Sequence, residues 1–171
     1  MRVTGRGTAS DAGARERLAL ALIALSGIVA LATAFGLEYL GGFVPCSLCI
    51  LERWPWAAAV VVGAIGLLSG RARLALLVAI LFLLGNTGLS AYHVGVESGW
   101  FELPGTCAAG TVASSIEELR AQLLNARPTC DRAALRVLGL SLAGWNGVAA
   151  AAIATLAVGA LLWGRRPVLS S

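Results

Sequence analysis

Lysine is absent from these 171 residues, histidine occurs once, and charged residues of all kinds make up only 13%. So few charges cannot cover the surface of a soluble globule. Apolar residues (Ala, Val, Ile, Leu, Met, Phe, Trp, Tyr and Cys) reach 58%, whereas soluble domains sit near about 45–50% even with Gly counted. Disorder needs the opposite balance, low hydrophobicity with high net charge, and is excluded with fibrous repeats. A mean hydropathy of +0.82 points to an integral membrane protein, and the length suits one bundle. Without lysine, the net charge of +4 rests on arginine alone. A nucleic-acid footprint would cluster on one face. These arginines instead flank apolar runs, as membrane topology requires.

Four stretches carry no charge: Leu18 to Leu37, Trp54 to Gly70, Leu74 to Val96, and Val137 to Gly164. About 20 helical residues cross a hydrocarbon core of about 30 Å. The second stretch, at 17 residues, reaches that length if Ile50 and Leu51 extend it. The pattern predicts transmembrane helices over about 18–37, 50–69, 74–93 and 137–163, within a single membrane domain, 1–171. The first is expected to be retained, because its apolar run exceeds a signal-peptide core and no clear small-x-small site precedes Glu38.

Four helices put both termini on one side. That side collects Arg2, Arg6, Arg15, Arg17, Arg71, Arg73, Arg165 and Arg166, against Arg53, Arg120, Arg127, Arg132 and Arg136 on the other. The positive-inside rule therefore predicts cytoplasmic termini and two outer loops, about 38–49 and 94–136. Within the second loop, Ser114 and Ser115 precede Glu117 and Glu118, a capping box in two possible registers. Ile116, Leu119 and Leu123 then recur at helical spacing until Pro128. This predicts a short amphipathic helix, lying on the membrane surface or packed on the bundle.

All four cysteines fall in the outer loops, Cys46 and Cys49 in the first, Cys107 and Cys130 in the second. A zinc site is a poor second reading: the wider pair is 23 positions apart and the lone His93 completes no paired ligand set. No metal site is expected. C-x-x-C closes a small ring that tends to be exchange-active. The wide pair alone reads as structural. One tight and one wide disulfide on the oxidising side suggest a thiol–disulfide relay, with a mobile loop bringing them together. Arg53 lies four residues after Cys49 and would share its helical face, so a thiolate there gains a permanent cation. The plain alternative for Arg53 is a snorkelling interface residue, with Glu52 pairing with it or facing water. Pro55 suits a first helical turn but would kink a helix begun at Cys49. Asn86, Thr87 and Asn146 read as interhelical bonding residues, and Gly85, Gly88, Gly144 and Gly147 as places of close helix approach.

The string Pro45-Cys46-Ser47-Leu48-Cys49-Ile50-Leu51-Glu52-Arg53, then Tyr92-His93, Cys107, Cys130 and Leu138-Gly139-Leu140 opening the fourth helix, resembles the disulfide-bond-formation protein B (DsbB) family. The resemblance spans about Leu18 to Trp163 and rests on the combination, since each part alone is weak. It implies an all-α membrane protein, a four-transmembrane-helix bundle with cytoplasmic termini and the amphipathic helix in the second periplasmic loop. It also implies a quinone-dependent thiol oxidase of the bacterial inner membrane, serving a periplasmic thioredoxin-like dithiol oxidase of the DsbA type. By that resemblance Cys107 forms the mixed disulfide with the partner, Cys130 attacks Cys46, and Cys49 becomes the thiolate beside bound ubiquinone or menaquinone. Arg53 would stabilise that thiolate and polarise a quinone carbonyl. His93 would stand near the quinone, its alternative being a hydrogen-bonded interface residue. A DsbA-type disulfide is strongly oxidising, near about −120 mV, so a strong acceptor is required. No G-x-G-x-x-G nucleotide fingerprint offers one. The alternatives are a vitamin-K-epoxide-reductase-like quinone reductase, in which the active C-x-x-C belongs to a late helix, and a non-catalytic membrane protein with two structural disulfides.

Overall fold

The computed structural model describes residues 5–107, 114–124 and 128–163. Arg2, Arg127, Arg165 and Arg166, used above to orient the chain, lie outside them. The helices are α1 (Gly5–Tyr39), α2 (Ser47–Leu51), α3 (Arg53–Ser69), α4 (Ala72–Glu97), α5 (Ile116–Leu124) and α6 (Leu142–Trp163), with a 3-10 turn at Gly105–Cys107. Four helical stretches are long and apolar enough to cross a membrane: Asp11–Tyr39, Ser47–Ser69, Ala72–Glu97 and Leu142–Leu162. Even the shortest, of 21 residues, spans about 31 Å at 1.5 Å per residue. Large apolar side chains such as Val61, Ile65, Leu77 and Leu81 face outward, which suits lipid.

The second span is two pieces, broken at Glu52. Pro55 offers no N–H to the carbonyl of Leu51 and its ring crowds that carbonyl. The helix therefore ends at Leu51 and restarts at Arg53, which places Pro55 in a first turn, where it is comfortable. Gly70, at φ +70°, closes α3 in the left-handed conformation, and α4 begins two residues later. At that end Arg17 donates to the carbonyl of Leu67 (3.4 Å) and Arg73 pairs with Glu16 (3.9 Å). Arg17 and Arg73 thus share one end of the bundle.

Helix α4 occupies the centre, against α1, α3 and α6. Its Ala72, Ala75, Leu76, Ala79, Ile80 and Leu83 meet Leu20, Ile23, Ala59, Ala150, Ala154 and Ala157 in one core. The spacing of the last three is helical, and their small side chains let backbones approach where hydrophobic driving force is weak. Of the glycines read as close-approach points, Gly147 fits, since a Cβ there would lie 3.0 Å from the Cβ of Ser90. Gly85 and Gly88 face open space, and Gly144 meets only Leu140 and Ser141 beside it.

The fourth span begins later than the sequence suggested. Leu138-Gly139-Leu140 does not open the helix; Arg136–Val137 and Leu140–Ser141 pair antiparallel, Val137 opposite Leu140. The two-residue turn takes Leu138 to φ +52° and Gly139 to φ +85°, both positive, as a tight I′ hairpin demands. Ser141 then caps α6 by accepting from the N–H of Gly144 (3.2 Å), and Trp145 Nε1 donates to the carbonyl of Val137 (2.9 Å).

For α5 the capping register is decided. The hydroxyl of Ser115 accepts from the N–H of Glu118 (3.1 Å), while the Glu118 carboxylate accepts from the N–H (2.8 Å) and hydroxyl (2.6 Å) of Ser114. Those bonds hold the exposed Glu118 carboxyl below its ordinary value of 4.5. A lowered carboxylate pKa means stability present above the unfolded value and lost as pH falls through the folded one. Amide exchange over 114–124 is therefore expected to accelerate, relative to its intrinsic rate, as pH is taken below 4.5, and Glu118→Gln should flatten that response.

Candidate functional site

Pro45 precedes the tight cysteine pair and removes a backbone donor there. Cys46 sits at the N-cap of α2, extended at φ −72° and ψ 171°, and its sulfur accepts from the N–H of Cys49 (3.1 Å). One helical turn thus brings the two Cα atoms to 5.1 Å, and the sulfurs are bonded as a disulfide. The second disulfide joins Cys107, on its 3-10 turn, to Cys130 with Cα atoms 5.5 Å apart.

The chain after α4 folds back to deliver Cys107. Trp100 N–H bonds the carbonyl of Gly95 (2.8 Å), and the Phe101 ring stacks on Tyr92 (5.3 Å) in space that a Cβ on Gly95 would occupy. The outcome is one buried cluster containing Cys46, Leu48, Val96, Cys107 and Cys130, with Cys49 and Tyr92 packed against it. The two disulfides are neighbours in the structure, so no large loop excursion separates them. Cys130 is wholly buried and Cys107 retains 4% exposure.

His93, on α4, reaches the tight pair from within. Its Nδ1 donates to Glu52 Oε1 (2.8 Å) and its Nε2 lies 3.6 Å from Cys46 Sγ, with Glu97 Oε1 3.9 Å from the same nitrogen. Glu52 neither pairs with Arg53 nor faces water: it is 6% exposed, and its Oε2 accepts from Asn146 Nδ2 (2.9 Å). Asn146 also donates to Ser90 (2.9 Å) and accepts from Trp56 Nε1 (2.7 Å). Asn86, with its amide oriented by its neighbours, donates to the main-chain carbonyl of Glu52 (3.2 Å) and accepts from Asn146 and Trp56 (3.2 and 3.0 Å). Asn86 and Asn146 do bond between helices; Thr87 bonds only the Leu83 carbonyl of its own helix (2.9 Å). At a helix break within a membrane span, such a network satisfies polar groups that lipid could not.

On its other side the tight pair opens on a cleft of about 590 Å³ between α1, the Pro45–Cys49 segment, α3 and α6. Cys49, Glu52, Arg53 and Asn146 are polar points in a lining otherwise mostly apolar, with Val29, Leu37 and Ile153 among it. Arg53 pairs with Glu38, not with the sulfur, and its guanidinium covers the Phe35 ring at 4.8 Å. His93 does not line this cleft. It stands behind the disulfide, facing Cys46. Glu38, Glu52 and Asn146 are site residues that sequence reasoning missed. The signal for Glu52 was a carboxylate beside a C-x-x-C inside an apolar run, where an unpartnered charge is costly.

The sulfurs of Cys46 and Cys49 and a ring nitrogen of His93 all lie within 4.8 Å of one another, so the structure assembles a Cys–His set that spacing alone did not reveal. The cleft has the size and apolar lining that a flat ring ligand such as a quinone headgroup would need: its volume lies within the usual range for small-molecule sites, about 300–1,000 Å³. Its walls are helix faces that bear apolar side chains, and Cys49 and Arg53 both belong to the lining.

Comparison with known proteins places these features in context. The family model described as "Disulfide bond formation protein DsbB" matches residues 16–160. An uncharacterised protein of Rickettsia prowazekii (strain Madrid E) is 31% identical over 135 residues, 75% of this chain and 77% of that one. Disulfide bond formation protein B 2 of Pseudomonas aeruginosa (strain PAO1) and disulfide bond formation protein B 1 of its strain UCBPP-PA14 are each 36% identical over 78 residues. Those two matches span 46% of this chain and 46% of each relative.

Proposed function

This chain belongs to the DsbB family of disulfide bond formation proteins, multi-pass membrane proteins that generate disulfides, and from that premise we propose that it is a quinone-dependent thiol oxidase of the bacterial inner membrane. Its cysteine end faces the periplasm and its termini the cytoplasm, in keeping with the arginines gathered at the opposite end. Its substrate is the reduced form of a periplasmic thioredoxin-fold oxidase of the DsbA type. The observation that carries this reading is the packing of both disulfides into one buried cluster whose tight member borders an apolar cleft.

The steps balance as successive thiol–disulfide exchanges. A partner thiolate attacks Cys107, forming a mixed disulfide and releasing Cys130 as thiolate. Cys130 attacks Cys46, breaking the Cys46–Cys49 bond and leaving Cys49 as thiolate at the cleft wall. The partner's second thiol resolves the mixed disulfide, so the partner leaves oxidised and Cys107 is free. Cys107 then attacks Cys130, restoring the wide pair and freeing Cys46. A quinone in the cleft supplies a two-electron, two-proton acceptor. The chain's own part is to hold Cys49 and Arg53 toward that space. The Arg53 guanidinium, anchored on Glu38, offers a cation to a neighbouring thiolate or carbonyl oxygen. Glu52 and His93 fix the position of Cys46, to which the bond from Cys49 must reform.

The test is quinone reduction by the purified chain supplied with a reduced thioredoxin-fold dithiol protein. One quinone is expected to be reduced per disulfide formed. Cys107→Ser should abolish turnover with the protein partner but leave turnover driven by a small dithiol, which reaches the tight pair directly. No reduction by the wild type defeats the quinone reading; unchanged partner-driven turnover by Cys107→Ser defeats the relay.

A further inference from the structure

We propose that the reduced Cys46–Cys49 pair and His93 together form a binding site for a thiophilic divalent cation of the zinc class, present only while the pair is reduced. The three donor atoms already lie within 4.8 Å of one another. They come from two elements that the bundle core holds in register: α2 with its N-cap, and α4. Two thiolates and an imidazole are the ligand chemistry of borderline and soft cations, Zn²⁺ and Cd²⁺ above all.

The surroundings fit a metal site beyond the donors. His93 is 2% exposed, and its Nδ1–H is committed to Glu52 Oε1 at 2.8 Å. An ionised Glu52 can only accept, which assigns the proton to Nδ1 and leaves a lone pair on Nε2, the nitrogen 3.6 Å from Cys46 Sγ. A carboxylate on the far nitrogen of a ligating histidine is the usual outer support of such sites. Glu52 is itself held by Asn146, so the imidazole is preorganised. The N–H of Cys49 that donates to Cys46 Sγ (3.1 Å) would serve a metal thiolate equally well. Glu97 Oε1, 3.9 Å from Nε2, is an oxygen donor on the same side of the imidazole for a fourth position.

The oxidised pair offers no thiolate, so the site is conditional on redox state. Two electrons from a dithiol convert the disulfide to two thiols. The cation then forms two metal–sulfur bonds and one metal–nitrogen bond, and the two thiol protons pass to water. A cation held there occupies both sulfurs and blocks their return to the disulfide. The inference goes beyond the quinone reading and does not rest on it, since any dithiol that reduces the pair exposes the site.

The experiment uses the full chain in detergent as a Cys107→Ser/Cys130→Ser double variant, so that only the tight pair contributes thiols. After reduction with a phosphine and its removal without air, Cd²⁺ is titrated and read by the sulfur-to-cadmium ultraviolet band. One Cd²⁺ per chain is expected for the reduced protein and none for the oxidised. His93→Ala should weaken binding at least about 10–100-fold, because losing an inner ligand costs no less than losing its outer partner. Zinc X-ray absorption on the same protein with His93 intact should show two sulfurs at about 2.3 Å and a nitrogen at about 2.0 Å, which secures the result if His93→Ala does not fold. No binding by the reduced chain, equal binding by the oxidised chain, undiminished binding by folded His93→Ala, or a shell without nitrogen would each overturn the proposal.

Discussion

Cys49→Ala is expected to reduce quinone turnover with either a protein or a small dithiol to the uncatalysed background, a loss of at least about 10³-fold, as when a covalent catalyst loses its reacting atom. Without Cys49, Cys46 is a free thiol that offers Cys130 no disulfide to attack. Its one remaining exchange is its own attack on the Cys107–Cys130 bond, which forms a dead-end Cys46–Cys130 disulfide and releases Cys107. Stability cannot account for such a loss. On the chain-entropy model a disulfide spanning two intervening residues contributes only about 2 kcal/mol, against about 3.5 kcal/mol for a loop the size of that between Cys107 and Cys130. Melting of the detergent-solubilised variant should accordingly fall by about 4–8 °C, far too little to empty the folded state. A chain whose disulfides are merely structural predicts the reverse: little change for Cys49→Ala in any redox assay and a larger drop in stability for Cys130→Ala. Steady turnover in Cys49→Ala would rule out the assigned electron path.

The largest effect on stability is expected from Glu52→Ala. The substitution strands the Nδ1–H of His93 deep in the bundle and takes from Asn146 Nδ2 its charged acceptor, leaving it Ser90 and Asn86. An orphaned buried donor costs about 1–3 kcal/mol and a lost hydrogen bond to a charged group about 1.5–3 kcal/mol, so together they predict a loss of about 2.5–6 kcal/mol. The measured average for a hydrogen bond between membrane helices is lower, about 0.6 kcal/mol. That average describes groups able to find other partners. Here the neighbours of Glu52 are already engaged with Ser90, Trp56 and Asn86, and few alternatives remain. Glu52→Gln keeps a carbonyl oxygen for one of the two donors and should cost clearly less. Thermal unfolding of both variants checks this, and an Ala variant within about 0.5 kcal/mol of the wild type would show that the network is not joined as described.

Much of the architecture was legible because membrane spans are written in composition. Four uncharged runs became four spans, and Arg17 and Arg73 do lie together at one end of the bundle, away from the cysteines. The Ser-x-x-Glu pattern foretold α5, since capping is a matter of a few consecutive residues. The hairpin at Arg136–Ser141 was not foreseen. Its Leu138 occupies a positive φ that Asn or Gly normally takes, and the apolar string Val137 to Leu140 reads as the start of a helix. The interruption at Glu52 was half visible: Pro55 announced a kink, but its place depended on where the helix began.

The candidate site divides in the same way. Cys46, Cys49, Cys107, Cys130 and Arg53 stand out by residue type and spacing, because thiol exchange and thiolate stabilisation need particular atoms at short separations along the chain. The partners of Glu52, His93 and Arg53 do not. Glu52 meets Asn146 across 94 positions, His93 meets Cys46 across 47, and Arg53 meets Glu38 across 15 and a loop. Contacts of that kind leave no periodic trace, since they depend on how helices pack and which faces they turn inward. From the sequence alone came an arginine-oriented, four-span membrane protein with one tight and one wide cysteine pair. Tertiary structure decided that the pairs adjoin and that His93 serves Cys46 from behind. It also put the buried Glu52–His93 bond beside the Cys46–Cys49 disulfide. The physical reason is that apolar length and local spacing are properties of the chain, whereas the satisfaction of buried polar groups belongs to the packed bundle.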